Sequence, residues 1–314
     1  MTPTVSVIMP ARDVEDLVGA ALASVLSQNA PLEVLVVDDA SRDGTAAAVA
    51  AVAAGDPRVR FLQGAGAGPG AARNLALRAA RAPWAAVVDA DDLIARGRLA
   101  RLVALGEDLG ADLVADNLTA FYPDGTPDHA WLSTPAWADA RGIDLRAYLE
   151  AGVGEARADQ LGYLKPIMRT AFLRRHGLAY NETLTIGEDF DLVLRALAAG
   201  AVYRYSPECG YRYRRRAGST SHRIDTEQLL RMADALTATA RALPADARPL
   251  AVRRLAVLQA DLQFVRLVAD LKAGAVAPAA RALRSREMRV RLRQAAGEGL
   301  AARLRRVGRR RQSD

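Results

Sequence analysis

Trp84-Ala85-Ala86-Val87-Val88-Asp89-Ala90-Asp91-Asp92 reads as a buried strand that stops at a row of acids. Three carboxylates within four residues repel one another unless a cation is shared. In an open α/β sheet the crevice beyond the strand ends is where ligands bind. The segment therefore suggests a divalent metal that holds a phosphate-bearing substrate. An alternative use of such acids is to cap the next helix, whose N-terminus they would suit. A cap needs one acid, however, and three are present.

The same alternation surrounds this segment. Val5–Met9, Leu32–Val37 and Val59–Leu62 are short β-branched or apolar runs. Helical spacing is found at Val14–Gln28, Asp43–Ala53, Ala71–Ala80 and Arg96–Leu109, with Ser41 or Asp43 as a cap for the second. Leu113–Ala115 is a further strand. Near-continuous apolar strands separated by helices predict a doubly wound, mostly parallel α/β sheet covered on both faces. Periodicity fades over Asn117–Asp159, where a variable substrate-facing or connecting region is expected. Order returns at Leu164–His176 and in the helix after Gly187, and Tyr203–Tyr205 predicts a short strand. Beyond Ser221 the pattern is helical, at about Thr226–Leu243, Ala247–Lys272 and Ala277–Gln294. The expected units are a sheet domain over 1–222 and a helical extension with an arginine-rich tail over 223–314. The sheet domain divides near residue 116 into a first half of regular alternation and a second half (117–222) that contains the substrate-facing region.

The composition is that of a globular protein with a sizeable core, 51% hydrophobic and 25% charged. Cys209 is the single cysteine, which excludes an internal disulfide and fits a reducing compartment. The N-terminal residues lack the basic and apolar regions of a secretory signal, and no run of about 18 apolar residues occurs. From Arg281 onward, twelve arginines face Glu287, Glu298 and Asp314, a balance of +9; of the total +7, the first 280 residues therefore carry −2. Such asymmetry points to an anionic partner surface. An amphipathic helix with Leu283, Met288, Val290 and Leu292 would lie on anionic lipid, whereas a solvated arm would not. The lack of aromatic residues there argues against nucleic acid. The helices from Thr226 could also serve homodimer contacts.

Four other segments carry chemistry. Asp38-Asp39, at a strand end before a polar turn, could accept from base and ribose donors. The run Gly64–Gly70 allows close backbone approach and leads Arg73 toward a nucleotide. Read as Gly66-x-Gly68-x-x-Ala71 with Asp89 downstream, it also mimics a dinucleotide fingerprint and an NAD(P)-dependent oxidoreductase, although it does not follow the first strand. Glu188 and Asp189 open a helix, and Asp189 is a candidate general base even though a helix N-terminus lowers a carboxylate's pKa. Tyr211–His222 supplies Arg212 and Ser219 for phosphate, with His222 as a phosphate or metal ligand.

Taken in order, Val5–Pro10, Val34–Ser41, Gly70–Asn74, Asp89–Asp92 and Glu188-Asp189 resemble a family 2 glycosyltransferase with the GT-A fold, over Val5 to about Ser221. The resemblance implies inverting transfer of a sugar from a nucleotide-diphosphate donor, a UDP-sugar foremost, with Mn2+ or Mg2+. It assigns Asp39 to the base and Arg73 beside it. Asp91, with Asp92 or Asp89, takes the metal and diphosphate, and Asp189 takes the proton of the acceptor hydroxyl. Pro10, Ala11 and Asp13 would line the donor, although members usually carry an aromatic and Asn where this chain has Ala11-Arg12-Asp13. The Gln/Arg-x-x-Arg-Trp element of processive members is absent, so addition of a single sugar is expected. The expected setting is cell-surface polysaccharide or glycoconjugate assembly in the cytoplasm or on the inner membrane face, with lipid-linked acceptors included. A non-catalytic binding protein on the same scaffold is the remaining alternative.

Overall fold

The computed structural model describes residues 2–153, 159–215, 224–272 and 288–293. Its first half alternates β1 (Val5–Ala11), α1 (Glu15–Leu26), β2 (Leu32–Asp38), α2 (Thr45–Gly55), β3 (Val59–Gln63), α3 (Pro69–Ala79) and β4 (Trp84–Val87). These strands are parallel, in the order β3-β2-β1-β4. Val7, Ile8, Val34, Leu35, Ala85 and Ala86 are all fully buried, because helices cover both faces. That is why the strands read as apolar runs and not as alternating ones.

The second half completes the same sheet. After β5 (Leu93–Ile94) and α4 (Arg98–Asp108) come β6 (Leu113–Phe121), β7 (His129–Ala130), β8 (Arg141–Gly142) and α5 (Leu145–Glu150). Next are β9 (Ile167–Arg169), α6 (Thr170–Arg175), α7 (Glu188–Ala198) and β10 (Tyr203–Arg214). The order continues β4-β9-β6-β10-β5, with β9 antiparallel to both neighbours, β10 parallel to β6, and β5 antiparallel to β10. The fold is α/β, as expected, with antiparallel insertions at β9 and β5.

Two details depart from the sequence reading, and the C-terminal helices stand where it expects them. The short strand expected at 203–205 is the start of a twelve-residue strand, whose pairing with β6 shifts register at Ser206/Cys209 and Cys209/Tyr211. These irregularities break the period-2 signal. The run 113–115 continues to Phe121, so residue 116 falls inside β6 and the two halves share one sheet. The C-terminal helices α8 (Thr226–Ala242) and α9 (Arg248–Lys272) pack on the sheet domain. Arg231 donates to the Thr183 carbonyl at 3.1 Å, Arg254 donates to the Ala151 carbonyl, and the Arg254 guanidinium lies 4.0 Å from the Phe190 ring. They brace the loop before α7 and the start of α7 itself.

Residues 288–293 are helical, and Met288 is fully buried. Arg291 pairs with Asp261 of α9 at 3.0 Å and covers the Phe264 ring. Met288 is therefore core and does not belong to a lipid-facing stripe. Among the described residues no helix is long and apolar enough to cross a membrane.

Candidate active site

The carboxyl ends of β1, β2 and β4 form one rim, because the strands are parallel and in register. Pro10 and Ala11 stand opposite Val37 and Asp38. Beyond them Asp13, at φ 50°, accepts from the Arg42 amide at 2.8 Å and donates its own amide to Ser41 Oγ at 3.1 Å. Asp13 thus ties the first loop to the turn after β2. Asp39 is 3% exposed and accepts the amides of Gly66 and Gly68, each at 2.8 Å. Gly66 and Gly68 have φ values of 74° and 96°, which a side chain would strain. The glycine run follows the third strand and wraps a carboxylate, unlike a dinucleotide fingerprint. Asp38, also buried, takes Gln63 Nε2 on Oδ2 at 3.1 Å and leaves Oδ1 without a partner.

A second group of charges gathers between α3, the end of β4, the segment before β9, and α7. Arg73 is 3% exposed and donates to Asp89 Oδ1 at 2.7 Å and to Glu188 Oε1; its Nη2 lies 4.0 Å from Asp189 Oδ2. The ammonium of Lys165 bridges Asp89 Oδ2 at 2.8 Å and Asp189 Oδ2 at 2.6 Å. Burial raises the pKa of Asp189, but Arg73 and Lys165 outweigh it and hold the carboxyl below 3.8. Burial likewise opposes the charge on Asp89 and on Lys165. The pairing reverses both shifts, so Asp89 titrates low and Lys165 well above 10.5. Glu188 goes the other way, raised by burial despite Arg73. Asp189 is an ionised carboxylate held on the first turn of an 11-residue helix. It can accept a proton, as a weak base.

The remaining acids differ from one another. Asp92 is 1% exposed; Tyr211 Oη donates to its Oδ2 at 2.7 Å and the Arg214 amide to its Oδ1 at 2.7 Å. Burial, with Asp91 and Asp89 adding to it, pushes the Asp92 carboxyl well above its ordinary value. A metal at Asp92 would have to share oxygens that already serve both donors. Asp91 is half-buried, and its carbonyl accepts from Arg214 Nε at 2.7 Å. Among the described residues no three of His, Cys, Asp and Glu are grouped to hold an ion. Mg2+ and Mn2+ need only one or two protein carboxylates when phosphates supply the rest. The donor set therefore fits a metal that arrives with a diphosphate.

Comparison with known proteins agrees with this arrangement. The profile of Glycosyl transferase family 2 matches residues 6–154. The succinoglycan biosynthesis protein ExoU of Rhizobium meliloti (strain 1021) is 40% identical over 277 residues, spanning 85% of this chain and 79% of that protein. The chain belongs to glycosyltransferase family 2. The fold agrees: S. aureus TarS 1-349, solved with UDP-GlcNAc, superposes with a TM-score of 0.60 at 20% identity, covering 88% of this chain and 89% of that one. The mannosyltransferase PcManGT of Pyrobaculum calidifontis, solved with GDP-Man and Mn2+, gives 0.60 at 20% identity, over 96% and 81%. The chain is thus a glycosyltransferase of the GT-A fold, and membership of the family removes the oxidoreductase alternative.

Among the residues singled out from sequence, Arg73, Asp89, Glu188 and Asp189 meet in one ionic cluster. Pro10, Ala11, Asp13 and Asp39 line the neighbouring rim. Arg212 is exposed, pairs with Asp128 at 3.3 Å and lies over Phe121. On β10 the arginine that meets the acid row is Arg214, at the Asp91 carbonyl and, through its amide, at Asp92. Ser219 and His222 lie outside the described residues. Sequence reasoning missed Lys165, and within Tyr211–His222 it chose Arg212 where Tyr211 and Arg214 make the contacts. Lys165 is one of two lysines among 43 basic residues, a rarity that could have drawn notice.

Proposed function

We propose that the chain moves a single sugar, with inversion, from a nucleotide-diphosphate sugar to an acceptor hydroxyl during assembly of a cell-surface polysaccharide. The observation that carries this reading is the joining of Asp189 to Asp89 through Lys165. It puts an ionised base on α7 beside the acids at the end of β4. The acceptor oxygen attacks the anomeric carbon, the bond from that carbon to the diphosphate breaks, and the hydroxyl proton passes to Asp189. The nucleoside diphosphate departs on the opposite side. Asp91 would hold Mn2+ or Mg2+ together with the diphosphate, and the metal would offset the charge of the leaving group. Asp92 orders that turn through Tyr211 and the Arg214 amide. Asp39 shapes the glycine loop, and a base contact by Asp39 would use the lone pairs that Gly66 and Gly68 leave.

ExoU, named for succinoglycan biosynthesis, supports a polysaccharide product, and the UDP-GlcNAc and GDP-Man bound to the two structural neighbours support a nucleotide-sugar donor, for which we favour UDP. A panel of UDP-, GDP- and TDP-sugars, scored for Mn2+-dependent binding and hydrolysis, tests the proposal. At least one should bind and turn over; if none binds with metal, the reading fails. The arginine-rich tail is proposed to hold the enzyme at anionic lipid near a lipid-linked acceptor. Deleting Ala282–Asp314 should abolish co-sedimentation with phosphatidylglycerol vesicles, and unchanged co-sedimentation would reject the role.

A further inference from the structure

We infer that Lys165 is a positioning residue for the transfer reaction: its ammonium fixes the aim of the Asp189 carboxylate while tying it to Asp89. This rests on the proposed role of Asp189 as the base. Two independent observations carry it. The first is the bridge itself, a single buried ammonium 2.8 Å from Asp89 and 2.6 Å from Asp189, carboxylates contributed by different elements. The second lies beneath it. Arg98, fully buried and held by Asp116, donates from Nη2 to the Lys165 carbonyl at 2.7 Å. The same guanidinium lies 5.2 Å from the centre of the Tyr211 ring, whose hydroxyl serves Asp92. One buried arginine thus supports both the segment that carries Lys165 and the strand that orders the acid row.

The charges around Asp189 are explicit. Arg73 comes from α3, Glu188 from α7, Asp89 from the end of β4, and Lys165 from the segment before β9; Tyr180 and Tyr148 are the nearby phenols. With Lys165, two cations face Asp89, Asp189 and Glu188. Without it the two carboxylates and Glu188 share Arg73 alone, in a site that water reaches poorly. Like charges and burial then favour the protonated form of Asp189, and the carboxyl loses the donor that fixes its rotamer. Lysine meets this need without blocking the reaction. Its flexible stem and rotating ammonium let it keep hold of Asp89 while Asp189 turns one oxygen to the acceptor hydroxyl.

The test uses the full-length enzyme, Mn2+ and whichever UDP-, GDP- or TDP-sugar of the panel turns over fastest, hydrolysed with water as acceptor. K165M keeps the apolar stem and removes the charge; K165R keeps the charge. In K165M, kcat should fall about 100-fold, within the range for a disabled proton acceptor. Donor KM should change by less than about threefold, the pattern of a contact used in the transition state. The acid limb of its kcat profile should move to higher pH. K165R should leave that limb where the wild type has it, even at reduced rate. The inference is overturned if K165M keeps kcat within threefold, or if a folded K165M loses rate with its acid limb unmoved. Should K165M not fold, a shifted limb in K165R would also overturn it, and an unshifted one would uphold it. Failure of the wild type to bind any donor would instead refute the glycosyl-transfer reading.

Discussion

The buried pair of Arg98 and Asp116 is the strut under the active site, and its removal has a cost that the geometry sets. Both side chains are fully buried. Arg98 Nε lies 2.9 and 3.2 Å from the two Asp116 oxygens and Nη2 lies 2.8 Å from Oδ1, a two-point contact; Arg101 adds a third bond at 2.9 Å. D116N removes the charge and turns an amide donor toward a guanidinium with no access to water. Stripping one partner from a buried pair costs about 3–5 kcal/mol. R98M costs less, about 1–3 kcal/mol, because Asp116 keeps Arg101, while the Lys165 carbonyl is left without its donor. In the double variant neither charge of the pair is stranded as before, so its cost should fall short of the sum by about 0.5–3 kcal/mol. Urea unfolding followed by circular dichroism at neutral pH measures all three. A D116N cost under about 1 kcal/mol, or two substitutions that add within about 0.5 kcal/mol, would show that the pair is no strut.

Glu33, near the opposite end of the strands, gives a pH prediction. Burial raises its pKa, but bonds from Ser6 at 2.7 Å, the Arg81 amide at 2.8 Å and Arg60 at 3.0 Å outweigh this and hold it below 4.5. A depressed folded pKa stabilises above the unfolded value and loses that contribution as pH falls through the folded one. The stability gap between wild type and E33Q, about 1–3 kcal/mol at neutral pH for bonds to a charged group, should close below pH 4.5; a gap independent of pH rejects the assignment. G68A places a Cβ at φ 96° in the turn whose amide serves Asp39. It should cost about 1–3 kcal/mol of stability and weaken donor binding in titration calorimetry, and a neutral G68A would show that the loop does not need its glycine.

The parallel half of the sheet was legible because strands buried on both faces leave unbroken apolar runs. β10 was legible only in its first three residues, since its register shifts scatter the pattern and its tyrosines and arginines face different neighbours. The carboxylates of the site were legible as acids at strand and helix ends. Their differences were not: Asp89, Asp91 and Asp92 look alike in the chain. Tyr211, 119 residues from Asp92, fixes one, and Lys165 neutralises another. Sheet order brings these partners together, and no local spacing records it. Lys165 stands alone between Leu164 and Pro166, with no motif around it.

The central claim is that Asp189 accepts the proton of the acceptor while the acids after β4 hold the donor. D189N is the most direct probe, measured at once for donor affinity by calorimetry with Mn2+ and for release of nucleoside diphosphate. With Asp189 in that role, donor affinity stays within about threefold of the wild type and turnover falls by at least about 100-fold. Turnover of D189N near the wild-type rate, with donor bound, would contradict it.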